Sequence, residues 1–220
     1  KSLLVVEEGK QRPLISEQLK IIHELGIENI YIVLEHDWQV AMMKQHIRLG
    51  TIAENTYHFL LFSWKRTPFE LFAEFEINGY EKFLVSFGDY VVKKEDMRFL
   101  MNKAHERDMS GAYALSYDHP ACEKGKKNIR AFKLDHCGDV VGFTNTNNKD
   151  TPFVLHAPYV LKTQDIELCK NLLAKKESTT WDILQYIVER SRLCFVFPHY
   201  FLNVNTVDDI LMIKKHSDHD

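Results

Sequence analysis

The sequence has few cysteines, no long apolar run and little net charge, and each shortage excludes a class of protein. Its four cysteines, Cys122, Cys137, Cys169 and Cys194, form no Cys-x-x-Cys pair. A disulfide framework is therefore not expected in a chain of 220 residues. No apolar run approaches the roughly 18 residues of a membrane-spanning helix, and no secretory signal pattern opens the chain. We expect a cytoplasmic protein with reduced thiols and no membrane partner.

The charge balance and composition are those of an ordinary globular protein. Lys and Arg number 28 and Asp and Glu number 31, which gives a net charge of −3. The chain thus lacks the basic excess of a nucleic-acid-binding domain. A hydrophobic content of 45% argues against disorder. None of the eleven histidines is paired at the spacing of a zinc site.

Strand and helix patterns alternate through the first half of the chain. Apolar spacing predicts helices at 13–25, 38–49, 68–77 and 95–107, and strands at 30–34, 57–62 and 83–87. Asp37 has the residue type and position of a helix N-cap. Repeated βα units with short connections predict a parallel, doubly wound sheet.

The second half has a mixed pattern. Strands are predicted at 112–116, 129–134, 140–143, 153–161, 194–197 and 200–204, and helices at 164–175, 180–191 and from 206 or 207. Cys-Gly-Asp at 137–139 predicts a hairpin turn. The fold class predicted for the whole chain is α/β, with a Rossmann-like, mostly parallel sheet, helices on both faces and a mixed second half. We expect one domain over residues 1–220.

The segment 83–89, FLVSFGD, carries the clearest functional signal. It predicts a buried parallel strand that stops at Gly88 and Asp89. Ligands in open α/β sheets bind beyond the carboxyl ends of such strands. A carboxylate at that position suits Mg²⁺. The structural alternative is an ordinary Gly-Asp turn without a ligand.

Several motifs, taken in order along the chain, carry a resemblance to a known family. They are KSLL at 1–4, Pro-Leu-Ile at 13–15, LGIENIYIV at 25–33, the helix entry at 67–71, Gly88-Asp89, the segment 138–143, and FLNVNTVDDI at 201–210. This ordered set resembles the sugar-phosphate and phosphocholine nucleotidyltransferase family over essentially the whole chain. The resemblance implies the nucleotide-diphospho-sugar transferase fold, with a nucleotide-binding half at 1–110 and an acceptor-binding half at 111–220.

The resemblance also implies a reaction and a metal site. The phosphate of a phosphorylated small molecule, such as a sugar phosphate or phosphocholine, attacks the α-phosphorus of an NTP and releases pyrophosphate. Asp89 supplies one Mg²⁺ ligand, and Asn203 or Asn205 supplies the second. Lys1 contacts phosphate as a point charge. The structural alternative for Asn203 and Asn205 is that they cap the last predicted helix without binding a ligand.

Other positions follow from the same motifs. Thr67, Arg66 and Gly88 are expected beside the nucleotide, although Arg66 stands where the family has glycine. As a loop residue, Arg66 also fits a solvated charge. The family's Gly-x-Gly-(Thr/Ser)-Arg loop falls before Lys1, and we expect it in the parent protein.

The departures from the family pattern keep two other functions open. Residues 145–147 read Asn-Thr-Asn where the family has Glu-Lys-Pro. That loss and Arg66 favour a noncatalytic regulatory or binding subunit of the same fold. A nucleotide-sugar glycosyltransferase ranks last, because Gly88-Asp89-Tyr90 lacks the Asp-x-Asp of that class. The motifs leave a homo-oligomer open.

Overall fold

A computed structural model describes residues 5–7, 10–61, 79–116, 118–119, 122, 131–144, 153–173 and 180–204. The chain divides into two compact units. The first comprises residues 1–65, 88–94 and 200–220, and the second comprises residues 66–87 and 95–199. Each unit is assembled from segments far apart in sequence. The single domain over 1–220, with its halves at 1–110 and 111–220, stays a prediction.

The described residues form twelve strands and five helices. The strands are β1 (Val5–Glu7), β2 (Lys10–Pro13), β3 (Asn29–Leu34), β4 (Thr56–Leu61), β5 (Lys82–Val85), β6 (Tyr90–Val92), β7 (Ser110–Ser116), β8 (Ala131–Leu134), β9 (Val140–Thr144), β10 (Phe153–Lys162), β11 (Leu193–Val196) and β12 (Phe201–Asn203). The helices are α1 (Ile15–Glu24), α2 (Asp37–Arg48), α3 (Lys94–Glu106), α4 (Thr163–Leu173) and α5 (Thr180–Ser191). None of the helices in these ranges has the length and apolar composition needed to cross a membrane.

The first unit contains a parallel pair, β3 and β4, that packs on helices. The two strands pair from Asn29 with Thr56 to Leu34 with Leu61. Its core is formed by buried apolar side chains from strand, helix and loop: Leu19, Ile30, Ile32, Met43 and Ile52. Burial alternates along β3 because successive side chains point to opposite faces. The predicted β3–α2–β4 unit is thus confirmed.

The start of α2 differs from the prediction. The N-cap is His36, and Asp37 is the first residue of the helix. The side-chain oxygen of Gln39 accepts hydrogen bonds from the main-chain N–H groups of Glu35 and His36. These bonds, rather than an Asp37 side chain in the capping position, fix the turn into the helix.

The second unit is built on a six-stranded mixed sheet in the order β5-β10-β7-β11-β9-β8, with an additional pairing between β10 and β8. The β7–β11 pair is parallel. The β5–β10, β7–β10 and β9–β11 pairs are antiparallel. Met97, Leu100 and Ala104 of α3 are fully buried. The predicted α/β class with a central sheet is confirmed.

The strand before Gly88 differs from the expected buried parallel strand. It runs from Lys82 to Val85, and Tyr159–Lys162 of β10 pairs with it antiparallel. Its side chains are only partly buried. The ten-residue β10 is long enough to pair with both β5 and β7, so in the described part of the chain it takes the place that a parallel neighbour was expected to occupy.

Candidate functional site

Asp89 and Asn203, which are far apart in sequence, are neighbours across two paired strands. We call the antiparallel pair of β6 and β12 the β6–β12 ladder. Its pairs are Tyr90 with Asn203, Val91 with Leu202, and Val92 with Phe201. The main-chain N–H of Val204 donates a hydrogen bond of 2.8 Å to the carbonyl oxygen of Asp89. The ladder therefore extends to the two residues that the sequence predicts as metal ligands.

Apolar side chains hold this ladder in place within the first unit. The rings of Tyr90 and Phe201 pack with their centroids 5.0 Å apart. Val91 and Leu202 pack against the buried Leu14 and Val204. Directly opposite residues of an antiparallel pair share a face, so Tyr90 and Asn203 lie on one face and Val91 and Leu202 lie on the other.

Helix α1 also contacts the ladder, through a residue that the sequence analysis did not identify. The buried Gln18 donates a side-chain hydrogen bond of 2.5 Å to the carbonyl oxygen of Tyr90. Gln18 lies among the apolar positions of an amphipathic helix, and only the tertiary structure shows that its amide faces a strand. We infer that Gln18 holds β6 next to α1 and so helps to place Asp89.

The side-chain oxygen of Asn203 is the feature that most suggests a ligand. Oδ1 is buried and has no hydrogen-bond partner within the described residues. A buried polar atom without a partner costs about 1–3 kcal/mol. A cation or a ligand donor would remove that cost. Amide and carboxylate oxygens are the ligands that Mg²⁺ prefers, so Asn203 and the half-buried Asp89 fit this metal.

Comparisons with known proteins address the fold. No protein-family model matches the chain, and no curated protein matches it significantly. Several solved structures do match the chain. An apo UDP-glucose pyrophosphorylase superposes with a TM-score of 0.73 at 13% identity, over 98% of this chain and 90% of that one. A UDP-glucose pyrophosphorylase complexed with UDP-glucose gives 0.72 at 14% identity, over 99% and 90%. The chain has the nucleotide-diphospho-sugar transferase fold.

A third structure agrees. A proposed glucose-1-phosphate thymidylyltransferase from Bacillus anthracis, in complex with a sucrose, superposes with a TM-score of 0.73 at 11% identity. It covers 99% of this chain and 87% of that one. Identities this low demonstrate the nucleotide-diphospho-sugar transferase fold alone. The fold implied by the ordered motifs is thereby confirmed.

The predicted site residues of this nucleotide-diphospho-sugar transferase fold are only partly described. Gly88 and Asp89 form the turn that precedes β6, and Asn203 ends β12. The other predicted residues lie outside the described ranges: Lys1, Arg66, Thr67 and Asn205. The Asn-Thr-Asn segment at 145–147 lies outside them as well. Their predicted roles stay predictions.

The turn between β8 and β9 places Asp135, His136 and Cys137 close enough for their ligand atoms to lie within 4.8 Å of one another. The Asp135 carboxylate already has structural partners. It accepts the N–H groups of Cys137 at 2.8 Å and Asp139 at 3.0 Å, and it lies 2.9 Å from the guanidinium of Arg192. The bond from Asp139 is the main cause that lowers the pKa of Asp135. These contacts indicate a structural turn.

Proposed function

We propose that this protein is a Mg²⁺-dependent nucleotidyltransferase. It moves a nucleoside monophosphate from an NTP to a phosphorylated small molecule, such as a sugar phosphate or phosphocholine, and releases pyrophosphate. The observation that carries the proposal is that the β6–β12 ladder places Asn203 opposite Tyr90, the residue after Asp89, and that the buried Oδ1 of Asn203 has no partner in the described part of the chain. A cytoplasmic location is part of the proposal.

The reaction needs charge neutralisation and positioning rather than a protein nucleophile. An oxygen of the acceptor phosphate forms a bond to the α-phosphorus, and the bond from that phosphorus to the pyrophosphate oxygen breaks. Asp89 and Asn203 would hold the Mg²⁺, which offsets the negative charge of the phosphates. Because Asn203 is neutral, the affinity for metal would depend strongly on the triphosphate itself.

The remaining substrate contacts are proposed from the sequence motifs. Lys1 contacts phosphate, and Asn205 is the alternative to Asn203 as second ligand. Gly88, Arg66 and Thr67 lie near the nucleotide. The complex of a structural neighbour with UDP-glucose supports a nucleoside bearing phosphates as the ligand class.

A direct test measures pyrophosphate release by the full chain. The four NTPs are each offered with glucose 1-phosphate or phosphocholine, with Mg²⁺ or with EDTA. We expect turnover with one combination of NTP and acceptor, and we expect it to require Mg²⁺. In Asp89→Ala this turnover should fall by about 100-fold or more, because a charged group at the reacting phosphates is lost. The matched control is Asp37→Ala, which removes an exposed carboxylate in the first turn of α2. Full Mg²⁺-dependent turnover in Asp89→Ala would overturn the proposal.

The second candidate is a noncatalytic nucleotide-binding subunit. Arg66 in place of the family's glycine, and the Asn-Thr-Asn segment at 145–147 in place of Glu-Lys-Pro, favour it. A thermal-shift series with NTPs and Mg²⁺ separates the two functions. A ligand at 100 times its Kd adds about 2.7 kcal/mol to the free energy of unfolding. Binding of an NTP without pyrophosphate release, for every acceptor, would support the subunit.

A further inference from the structure

A buried carboxylate in the second unit joins two segments that are distant in sequence. Asp96 is 3% exposed. Its Oδ2 accepts the main-chain N–H of His199 at 2.9 Å, and its Oδ1 accepts the imidazole Nδ1 of the same residue at 2.6 Å. The imidazole itself is 86% exposed. We call this pair the 96–199 clasp. The two hydrogen bonds of the clasp stabilise the Asp96 carboxylate, whose negative charge would be costly to bury without hydrogen-bond donors.

The position of Asp96 suits a negative charge. It lies in the first turn of α3, where the helix dipole favours an anion. The clasp is therefore a charge-assisted contact, which is stronger than a bond between neutral groups.

The position of the clasp along the chain relates it to the candidate site. Asp96 follows Val92, the last residue of β6, by four positions. His199 precedes Phe201, the first residue of β12, by two positions. Val92 and Phe201 are the terminal pair at one end of the β6–β12 ladder. Two of the four places where the chain passes from one compact unit to the other, 94–95 and 199–200, adjoin the clasp, and both clasp residues belong to the second unit.

The ladder consists of three residue pairs, so few hydrogen bonds of its own fix its register. A slip of one residue between the strands would turn every side chain of β12 to the other face. Asn203 would then leave the face that it shares with Tyr90.

We propose that Asp96 and His199 are positioning residues that fix the register of the β6–β12 ladder and thereby hold Asn203 opposite Tyr90, the residue that follows Asp89. The inference deepens the proposed function and rests on it for the role of Asn203 as a metal ligand. Neither residue touches the reacting atoms. The clasp acts through the strands that follow and precede it.

The test uses the full chain with two readouts. Amide hydrogen exchange of Val204, whose N–H donates to Asp89, reports the register of the ladder. Mn²⁺ titration followed by electron paramagnetic resonance reports the metal site without turnover. In His199→Ala the imidazole bond is lost and the main-chain bond remains. We expect Val204 exchange to accelerate by about tenfold or more, as for loss of a hydrogen bond to a charged group, and the Kd for Mn²⁺ to rise several-fold.

Two further variants make the test specific. His199→Asn places an amide N–H where the imidazole Nδ1 donates. It should therefore return the Val204 exchange rate and the Kd for Mn²⁺ to their wild-type values. Ser110→Ala removes another bond to a buried carboxylate of the second unit, that of Asp165, and should lower stability without changing Val204 exchange. Unchanged Val204 exchange in His199→Ala, or an equal change in Ser110→Ala, overturns the clasp. Faster exchange in a protein that binds no Mn²⁺ supports the clasp and overturns the proposed function.

Discussion

Gly111 in β7 packs directly against Leu100 in α3. A Cβ atom added at Gly111 would lie 3.0 Å from Leu100 Cδ1 and 3.1 Å from Cys194 Sγ. All three positions belong to the second unit, and Leu100 and Cys194 are fully buried. The absent side chain is thus what allows α3 to lie this close to the sheet.

Replacement of Gly111 by alanine should therefore destabilise the fold. We expect Gly111→Ala to lower the free energy of unfolding by about 1–3 kcal/mol, the cost of overpacking a filled core. Urea unfolding followed by circular dichroism measures this change. Gly142→Ala in β9 is the matched control, because no heavy atom of the described residues lies within 4 Å of its Cβ position. Equal losses in the two variants would contradict the packing argument.

The partly buried imidazole of His156 should make stability fall in acid. Burial, with a smaller contribution from the charge of His119, lowers the pKa of His156 to about 4 from its ordinary 6.5. Below pH 6.5 the unfolded chain binds a proton that the folded chain does not. The contribution to stability is therefore complete above pH 6.5 and is lost as the pH falls towards 4. We expect a loss of about 2 kcal/mol between pH 7 and pH 5 from this group.

Urea unfolding at these two pH values measures that loss. In His156→Gln the difference between pH 7 and pH 5 should shrink by the same amount, because the titrating group is gone. His105→Gln, which removes an exposed histidine of α3, should leave the difference unchanged. A pH dependence in His156→Gln identical to that of the wild type would show that His156 titrates normally.

Thiol reactivity should single out Cys137. It is exposed in the β8–β9 turn, whereas Cys122, Cys169 and Cys194 are buried. Burial raises the pKa of Cys169 to about 12 and also raises that of Cys194. The thiolate is the reactive form. Ellman's reagent should therefore modify one thiol rapidly in the native protein, and Cys137→Ser should remove that fast phase. A fast phase of more than one equivalent would contradict the described burial.

Local sequence patterns predicted the elements whose apolar spacing is regular. The continuous β-rich run at 30–34 and the helical spacing before Gly50 led to β3 and α2 within one or two residues. The short β6 was missed, because three residues after Gly88-Asp89 carry no period of their own. Its existence depends on pairing with β12, which lies in another part of the sequence.

The direction of strand pairing and the partners of polar side chains also could not be predicted from local sequence patterns. The apolar run at β5 is equally compatible with a parallel or an antiparallel neighbour, and β10 decides between them. Asp89 and Asn203 were placed together only by the family resemblance. The burial of the Asn203 oxygen, which has no partner among the residues that the structure describes, and the contact of Gln18 with Tyr90 are set by tertiary packing, which composition and spacing do not encode.

The account depends most on Asn203 and Asp89 binding the same divalent cation. The most direct measurement is the Kd for Mn²⁺ in the wild type, Asn203→Asp, Asn203→Ala and Asp89→Ala, by electron paramagnetic resonance at fixed NTP. Ligand charge sets the affinity of oxygen sites for divalent cations. We expect Asn203→Asp to tighten binding of Mn²⁺ by about tenfold, and Asn203→Ala and Asp89→Ala to weaken it. In a variant that carries both alanine substitutions, the two effects should be non-additive. Equal affinities in the wild type, Asn203→Asp and Asn203→Ala would contradict the account.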